Sequence, residues 1–354
     1  MTAMDRTVRP EAVSDVVEQA GSTMRAIVQD RYGSADVLRS VRTARPEFGA
    51  GEVLLRVRAA GVNRGVWHLM TGRPYLLRLA FGLRRPKNRV PGQDVAGTVV
   101  ATGPAVTGFA VGDEVFGIAR GAFAEFAAAR SDKIARKPAS LTFEQAAVVG
   151  VSAITALQAL VDTGRVEPGQ RVLITGASGG VGSYAVQLAA AIGAVVTGVC
   201  STPKLDLVRS LGATHVVDYT REDFADTGHR YDLILDIAGL PKLQRLRRAL
   251  APNGTLVLVG GEDGGDWTGG TIGRQLRARA TSLFSRQRLT SILAKERAGD
   301  FERLATYLQA GTVIPSIERT YPLEEVPDAL RHLEAGNVRA KVAIAVLPMG
   351  TAMS

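Results

Sequence analysis

Thr175-Gly-Ala-Ser-Gly-Gly-Val-Gly182 is the stretch on which the reading of this chain turns. Before it, Arg171–Thr175 is a short, largely apolar strand pattern. After it, Gly182–Ile192 has helical composition, and Val195–Cys200 reads as a second strand. A strand that runs through a glycine-rich turn into a helix exposes the unpaired N–H groups of the helix N-terminus. Those groups and the helix dipole favour a pyrophosphate. Gly176, Ala177, Ser178, Gly179, Gly180, Val181 and Gly182 are therefore the candidate cofactor-binding set. Gly179 lets backbone approach phosphate without a Cβ between them, and Gly182 allows close helix–strand packing. Ala177 stands where the strict glycine pattern has its first glycine. The competing reading is a tight strand–helix turn with no ligand, and the second strand about twenty residues on argues against it.

Outward from the turn the chain divides in two. Residues 24–148 read as short strands punctuated by glycine: Met24–Val28, Glu52–Arg58, Val95–Thr102, Glu114–Ile118 and Ala124–Ala128, a β-rich, barrel-like unit. From Phe143–Asp162, helical in composition, strands and helices alternate through His215–Asp218, Leu233–Asp236 and Thr255–Gly260. Apolar strands in that alternation predict a parallel sheet covered on both faces, over residues 149–291. Residues 292–347 hold two helices (Phe301–Gln309, Leu323–Glu334), the extended piece Ile314–Tyr321 and a last strand, Lys341–Val346. That strand is placed to return to the first unit. Residues 1–23 read as an N-terminal extension, expected to be poorly ordered, and 348–354 as a tail. The fold class is α/β with two domains, as 354 residues require.

The end of the second strand selects the dinucleotide. An NAD site places Asp or Glu there for the ribose 2′-OH. This chain has Cys200-Ser-Thr-Pro-Lys204, so a 2′-phosphate meets no like charge, and Ser201, Thr202 and Lys204 are candidates to bind it. NADPH is the expected cofactor. The net charge is +9, but the cations are dispersed, with mild concentrations at Arg84–Arg89 and Arg274–Arg297. They read as a solvated surface, with no nucleic-acid partner. The single cysteine, Cys200, excludes internal disulfides and cysteine-rich metal sites. No apolar run approaches the roughly 18 residues that span a bilayer, so membrane insertion is not expected and a cytoplasmic location is.

Further motifs carry a resemblance. Ala60-Gly-Val-Asn63, Pro91-Gly-Gln-Asp-Val-Ala-Gly97, Gly112-Asp-Glu-Val-Phe-Gly117, Leu211–Tyr219 and Pro252–Val257, together with the glycine turn, resemble the medium-chain dehydrogenase/reductase superfamily in its zinc-independent quinone-oxidoreductase branch. The likeness covers about 24–346. It implies a GroES-like β-barrel catalytic domain, a Rossmann domain of doubly wound parallel sheet, a cleft between them, and homodimers or homotetramers. Zinc alcohol dehydrogenases of the superfamily have Cys where Asn63 stands and Gly-His-Glu where Gly92-Gln93-Asp94 stands. Those ligands are missing here, so no metal is expected.

The resemblance implies a reductase that takes hydride from NADPH to a quinone or an α,β-unsaturated ketone or aldehyde. By resemblance Asn63 donates to the acceptor oxygen, or it only forms a turn, and His68 is a candidate proton donor or a structural histidine. Trp67 lines an acceptor pocket or fills the interdomain core. Asp94 matches the acidic position of the motif or makes an internal hydrogen bond. Tyr75 and Leu76–Arg85 form a lid or an exposed loop. Thr155, Ala238, Val259 and Gly260 border the nicotinamide end, Tyr219 the 2′-phosphate, and Arg339 or Lys341 a cofactor phosphate. Alternative functions are an enoyl-thioester reductase and a non-catalytic NADPH-binding sensor or scaffold.

Overall fold

The structure, a computed structural model, describes residues 23–226, 228–260 and 271–346. The expected tail, and the expected extension up to residue 22, lie outside the described residues. β1 (Thr23–Val28) and β2 (Arg39–Ala44) pair antiparallel. β3 (Glu52–Val62), β4 (Asp94–Thr102), β5 (Glu114–Ile118), β6 (Phe126–Arg130) and β7 (Ile134–Arg136) follow. Next come β8 (Arg171–Thr175), β9 (Val195–Cys200), β10 (His215–Asp218), β11 (Tyr231–Asp236), β12 (Leu250–Leu258) and β13 (Arg288–Ser291). β14 (Ile317–Pro322) and β15 (Lys341–Ala345) complete the strands.

The first sheet runs β14-β15-β3-β4-β5-β7, with β6 paired to β3. Buried positions alternate along β3 from Val53 to Ala59, so Val53, Leu55 and Val57 join the barrel core with Val99, Val115 and Ala127. The last strand, β15, returns to pair antiparallel with β3, Val342 opposite Val62. The C-terminal segment thereby completes the first domain.

The second sheet runs β10-β9-β8-β11-β12-β13, all parallel. Its strands are apolar on both faces. Val172 and Ile174 pack into one core cluster and Leu173 into another, as do Leu235 and Ile234. The order reverses direction between β8 and β11, and a crevice opens at the carboxyl ends of strands at such a point.

Several boundaries differ from expectation. The helix Gly180–Ile192 starts two residues early, at the glycine turn itself. Phe143–Asp162 is not one helix but two, Phe143–Ala147 and Gly150–Leu157, followed by a π-helical stretch at Gln158–Gly164. No described helix is long and apolar enough to cross a membrane.

Candidate functional site

A cleft of about 720 Å³ lies between the two sheets. Its floor is the turn after β8. Gly179 caps the helix with an extended backbone and no side-chain hydrogen bond, leaving the first amides of the helix to a ligand. A Cβ at Gly179 would meet only the Gly176 carbonyl, at 3.4 Å, so nothing but a ligand needs that space. Gly182 differs: a Cβ there would stand 2.1 Å from the Gly176 carbonyl oxygen and 2.8 Å from Ala177 Cα. These residues fit a pyrophosphate.

The cleft brings together most of the sequence-predicted positions. Asn63, His68, Thr155, Gly176, Ser178, Gly179, Gly180, Val181, Ser201, Lys204, Tyr219, Ala238, Val259, Gly260 and Lys341 all line it. Ser201, Lys204 and Tyr219 cluster at the ends of β9 and β10, whereas Asn63 and His68 belong to the first domain's helix Arg64–Thr71 and its cap.

Others stand elsewhere. Ala177 is fully buried behind the turn, and Gly182 packs on its backbone. Thr202 turns away, its hydroxyl donating to Asp218 Oδ2 at 2.5 Å. Arg339 is exposed and outside the lining, its backbone N–H donating to Glu318. Trp67 is not in the lining of this cleft; it packs against the barrel core, its indole nitrogen buried without a partner among the described residues. Tyr75 and Leu76–Arg85 do not cover this cleft. Tyr75 stacks on the guanidinium of Arg78, 4.6 Å from ring centroid to Cζ.

Asn63 is the N-cap of its helix. Its Oδ1 accepts from Val66 N–H at 3.0 Å, and its Nδ2 donates to Asp94 Oδ2 at 2.9 Å. The second amide hydrogen has no partner among the described residues. Asp94 is fully buried, and its Oδ1 accepts from Val151 N–H at 2.9 Å. Gly61 and Gly150 make room for it: a Cβ at Gly150 would fall 2.2 Å from Asp94 Oδ1.

Lys341 closes this cluster. Its Nζ donates to the Val62 carbonyl and to Ser152 Oγ, each at 3.0 Å, and lies 3.8 Å from Asp94 Oδ2. The ammonium expected near a cofactor phosphate is thus directed inward. Burial pushes the Asp94 carboxyl up and the Lys341 ammonium down, against their mutual attraction. Sequence reasoning had noted Asp94 and Lys341 separately; nothing local in either stretch signals that they meet.

His68 Nδ1 lies 2.8 Å from the Arg73 carbonyl, which can only accept, so the ring carries a proton on Nδ1. Lys204 faces the cleft, but its Nζ donates across the domain boundary to the Val338 and Gly336 carbonyls, at 2.9 and 3.3 Å. Partial burial lowers its pKa. Arg274 was also missed. It pairs with the buried Asp236 at 2.5 Å and donates to the Gly239 and Pro241 carbonyls, bracing the loop that carries Ala238.

Residues 49–139 match the model of the alcohol dehydrogenase GroES-like domain, and 211–344 match that of the zinc-binding dehydrogenases. A quinone-oxidoreductase homolog of chloroplasts from Spinacia oleracea is 32% identical, over 92% of this chain and 99% of its own. The chain belongs to the medium-chain dehydrogenase/reductase superfamily, in its quinone-oxidoreductase-like branch. Within that superfamily, a 2-methylene-furan-3-one reductase from Solanum lycopersicum is 31% identical, over 92% of this chain and 80% of its own. The solved quinone oxidoreductase of Coxiella burnetii superposes with a TM-score of 0.81 at 29% identity, covering 92% of this chain and 100% of that one. Asn63, Gln93 and Asp94 stand at the expected positions, and no group of three or more His, Cys, Asp or Glu side chains suited to a metal occurs among the described residues.

Proposed function

We propose that this oxidoreductase is an NADPH-dependent, metal-independent reductase of quinones or of α,β-unsaturated ketones and aldehydes. The observation that carries the reading is one cleft with two unlike ends. At one end lie an uncapped helix N-terminus and Ser201, Lys204 and Tyr219, with no acid following β9. At the other, Asn63 offers an amide hydrogen and His68 lies within the lining. Relatives named as quinone oxidoreductases and an enone reductase support the same class.

Bound nicotinamide supplies the hydride. The protein's part is to hold a conjugated acceptor over it and stabilise the oxygen on which negative charge develops. Asn63 is held for that role at both ends of its amide, by Val66 and Asp94, so the remaining N–H points without rotamer loss. His68, whose Nδ1 meets the Arg73 carbonyl, is the group proposed to deliver a proton after hydride transfer. A 2′-phosphate draws Lys204 from two neutral carbonyls into a stronger, charge-assisted bond.

We extend the proposal to a homodimer or homotetramer, which the edge strand β13 and the exposed Phe284 and Leu293 near it would support. The reductase reading is tested with NADPH deuterated at nicotinamide C4 and a panel of quinones and enones. It predicts deuterium on the β-carbon of the reduced enone, or consumption of the quinone with matching oxidation of the cofactor. Tight NADPH binding with no turnover on any acceptor refutes it and favours a sensor.

A further inference from the structure

Tyr75–Phe81 and the loop after it are built inside out. Arg78 and the two tyrosines around it turn inward. Arg78 is stacked between Tyr32 and Tyr75, at 4.5 and 4.6 Å, and its Nε donates to the Gly72 carbonyl at 2.9 Å. Tyr32 donates its hydroxyl proton to the Gly82 carbonyl at 2.6 Å, and Lys87 N–H donates to the Phe81 carbonyl at 2.8 Å, closing the loop on itself. The large apolar side chains turn outward: Leu76 is 46% exposed, Leu79 70%, Phe81 44% and Leu83 67%. Leu76 and Leu79, three residues apart on consecutive helical turns, share one side. Apolar patches of about a few hundred Å² on a protein surface are often functional.

The segment that carries this patch is cationic in sequence, although Glu52 and Glu296 line the adjoining cavity and Asp30 pairs with Arg89. No Asp or Glu occurs between Glu52 and Asp94, whereas Arg84 and Arg85 follow Leu83 directly. Both arginines are exposed, and neither makes an ion pair among the described residues. Leucines and a phenylalanine on a rigid, cation-rimmed platform match the boundary of an anionic bilayer, with apolar tips entering the acyl region and guanidinium groups meeting phosphate. A protein partner would need its own acidic apolar counterface, whereas a lipid surface supplies both features.

We propose that this platform docks the protein on anionic membrane surfaces, as a peripheral contact without a spanning segment. Beside the platform, Phe81, Pro86 and Lys87 line a second cavity, of about 340 Å³, whose other walls carry charged groups, among them Glu52, Arg130 and Glu296. The docking does not rest on the reductase reading.

The test is sedimentation of the full chain with vesicles of phosphatidylcholine alone or with added phosphatidylglycerol. The protein is expected to sediment with the anionic vesicles only, and to be released by salt. Arg84→Ala with Arg85→Ala lowers the partition coefficient about thirtyfold, the factor contributed by two cations near an anionic surface. Leu79→Ser with Leu83→Ser lowers it at least tenfold. Both pairs leave the melting temperature and cofactor affinity unchanged, which separates lost docking from lost folding. Failure to sediment, equal binding to neutral vesicles, or indifference to both pairs overturns the proposal. So does self-association that the leucine pair dissolves, which would make the patch a contact between copies. Failure of the turnover assay, by contrast, leaves vesicle binding as it is.

Discussion

Gly179 and Gly182 are three residues apart in one turn, yet the structure assigns them opposite reasons for being glycine, and two alanine substitutions separate those reasons. In Gly182→Ala the new methyl would lie 2.1 Å from the Gly176 carbonyl oxygen and 2.8 Å from Ala177 Cα. Both neighbours are backbone, held by β8 and the turn, so the helix must shift by about 1 Å or more. A loss of about 3 kcal/mol or more of stability is expected, at the upper end of overpacking effects. In Gly179→Ala the methyl meets one atom at 3.4 Å, in an extended conformation (φ −86°, ψ −177°) open to any residue. Only the weaker N-cap preference of alanine counts against it, about 1 kcal/mol.

The methyl does occupy the approach of a pyrophosphate to the helix amides. Losing one hydrogen bond to a charged group costs about 1.5–3 kcal/mol, which is about ten- to 150-fold in Kd. Urea denaturation of the apoprotein and calorimetric titration with NADPH read the two quantities independently. The expected result is a crossed pattern, with Gly182→Ala unstable and Gly179→Ala stable but weak in binding. Unchanged cofactor affinity in Gly179→Ala would refute the phosphate site, and unchanged stability in Gly182→Ala the packing argument.

Lys204→Ala should weaken NADPH at least tenfold and NADH little, by titration of both; equal losses contradict its assignment to the 2′-phosphate. His68→Phe should lower turnover severalfold or more while cofactor affinity stays nearly constant, and undiminished turnover removes it from proton transfer. Asp94→Ala leaves the Lys341 ammonium buried beside no carboxylate, at a cost of about 3–5 kcal/mol in denaturation; Asp94→Leu with Lys341→Met should recover most of it. Burial and the nearby Asp218 push the Cys200 thiol up to about 11. At pH 8 it should therefore alkylate about a hundredfold more slowly than an ordinary thiol and accelerate as pH rises toward that value, as mass spectrometry can follow.

The parallel sheet was legible because its strands are buried on both faces. Arg171–Thr175, Val195–Cys200 and His215–Asp218 are continuous runs whose ends coincide with β8, β9 and β10. β2 and β13 were missed for the opposite reason. Arg39–Ala44 and Arg288–Ser291 are short and mostly exposed or half-buried, and three of these ten residues are arginine, so their pairing supplies the order that their composition hides. The helix Thr271–Leu283 carries three arginines and reads as basic surface until Arg274 is seen against Asp236. The cleft was legible at its glycines, where backbone geometry dictates residue type. Lys341 was not, since a lysine near a cofactor domain suggests phosphate. Only the fold brings Asp94, Val62 and Ser152 around its ammonium. Trp67 sits on the barrel side because its short helix packs there, a choice of face that one aromatic residue does not announce.

The proposed reductase transfers hydride from NADPH in one cleft without a metal. The most direct measurement is the rate of NADPH oxidation by protein treated with a chelator and shown free of zinc, against quinones and enones, with NADH in parallel. Turnover should survive metal removal, with kcat/KM at least tenfold higher for NADPH than for NADH. Activity that appears only when zinc is restored, or that favours NADH, would contradict it.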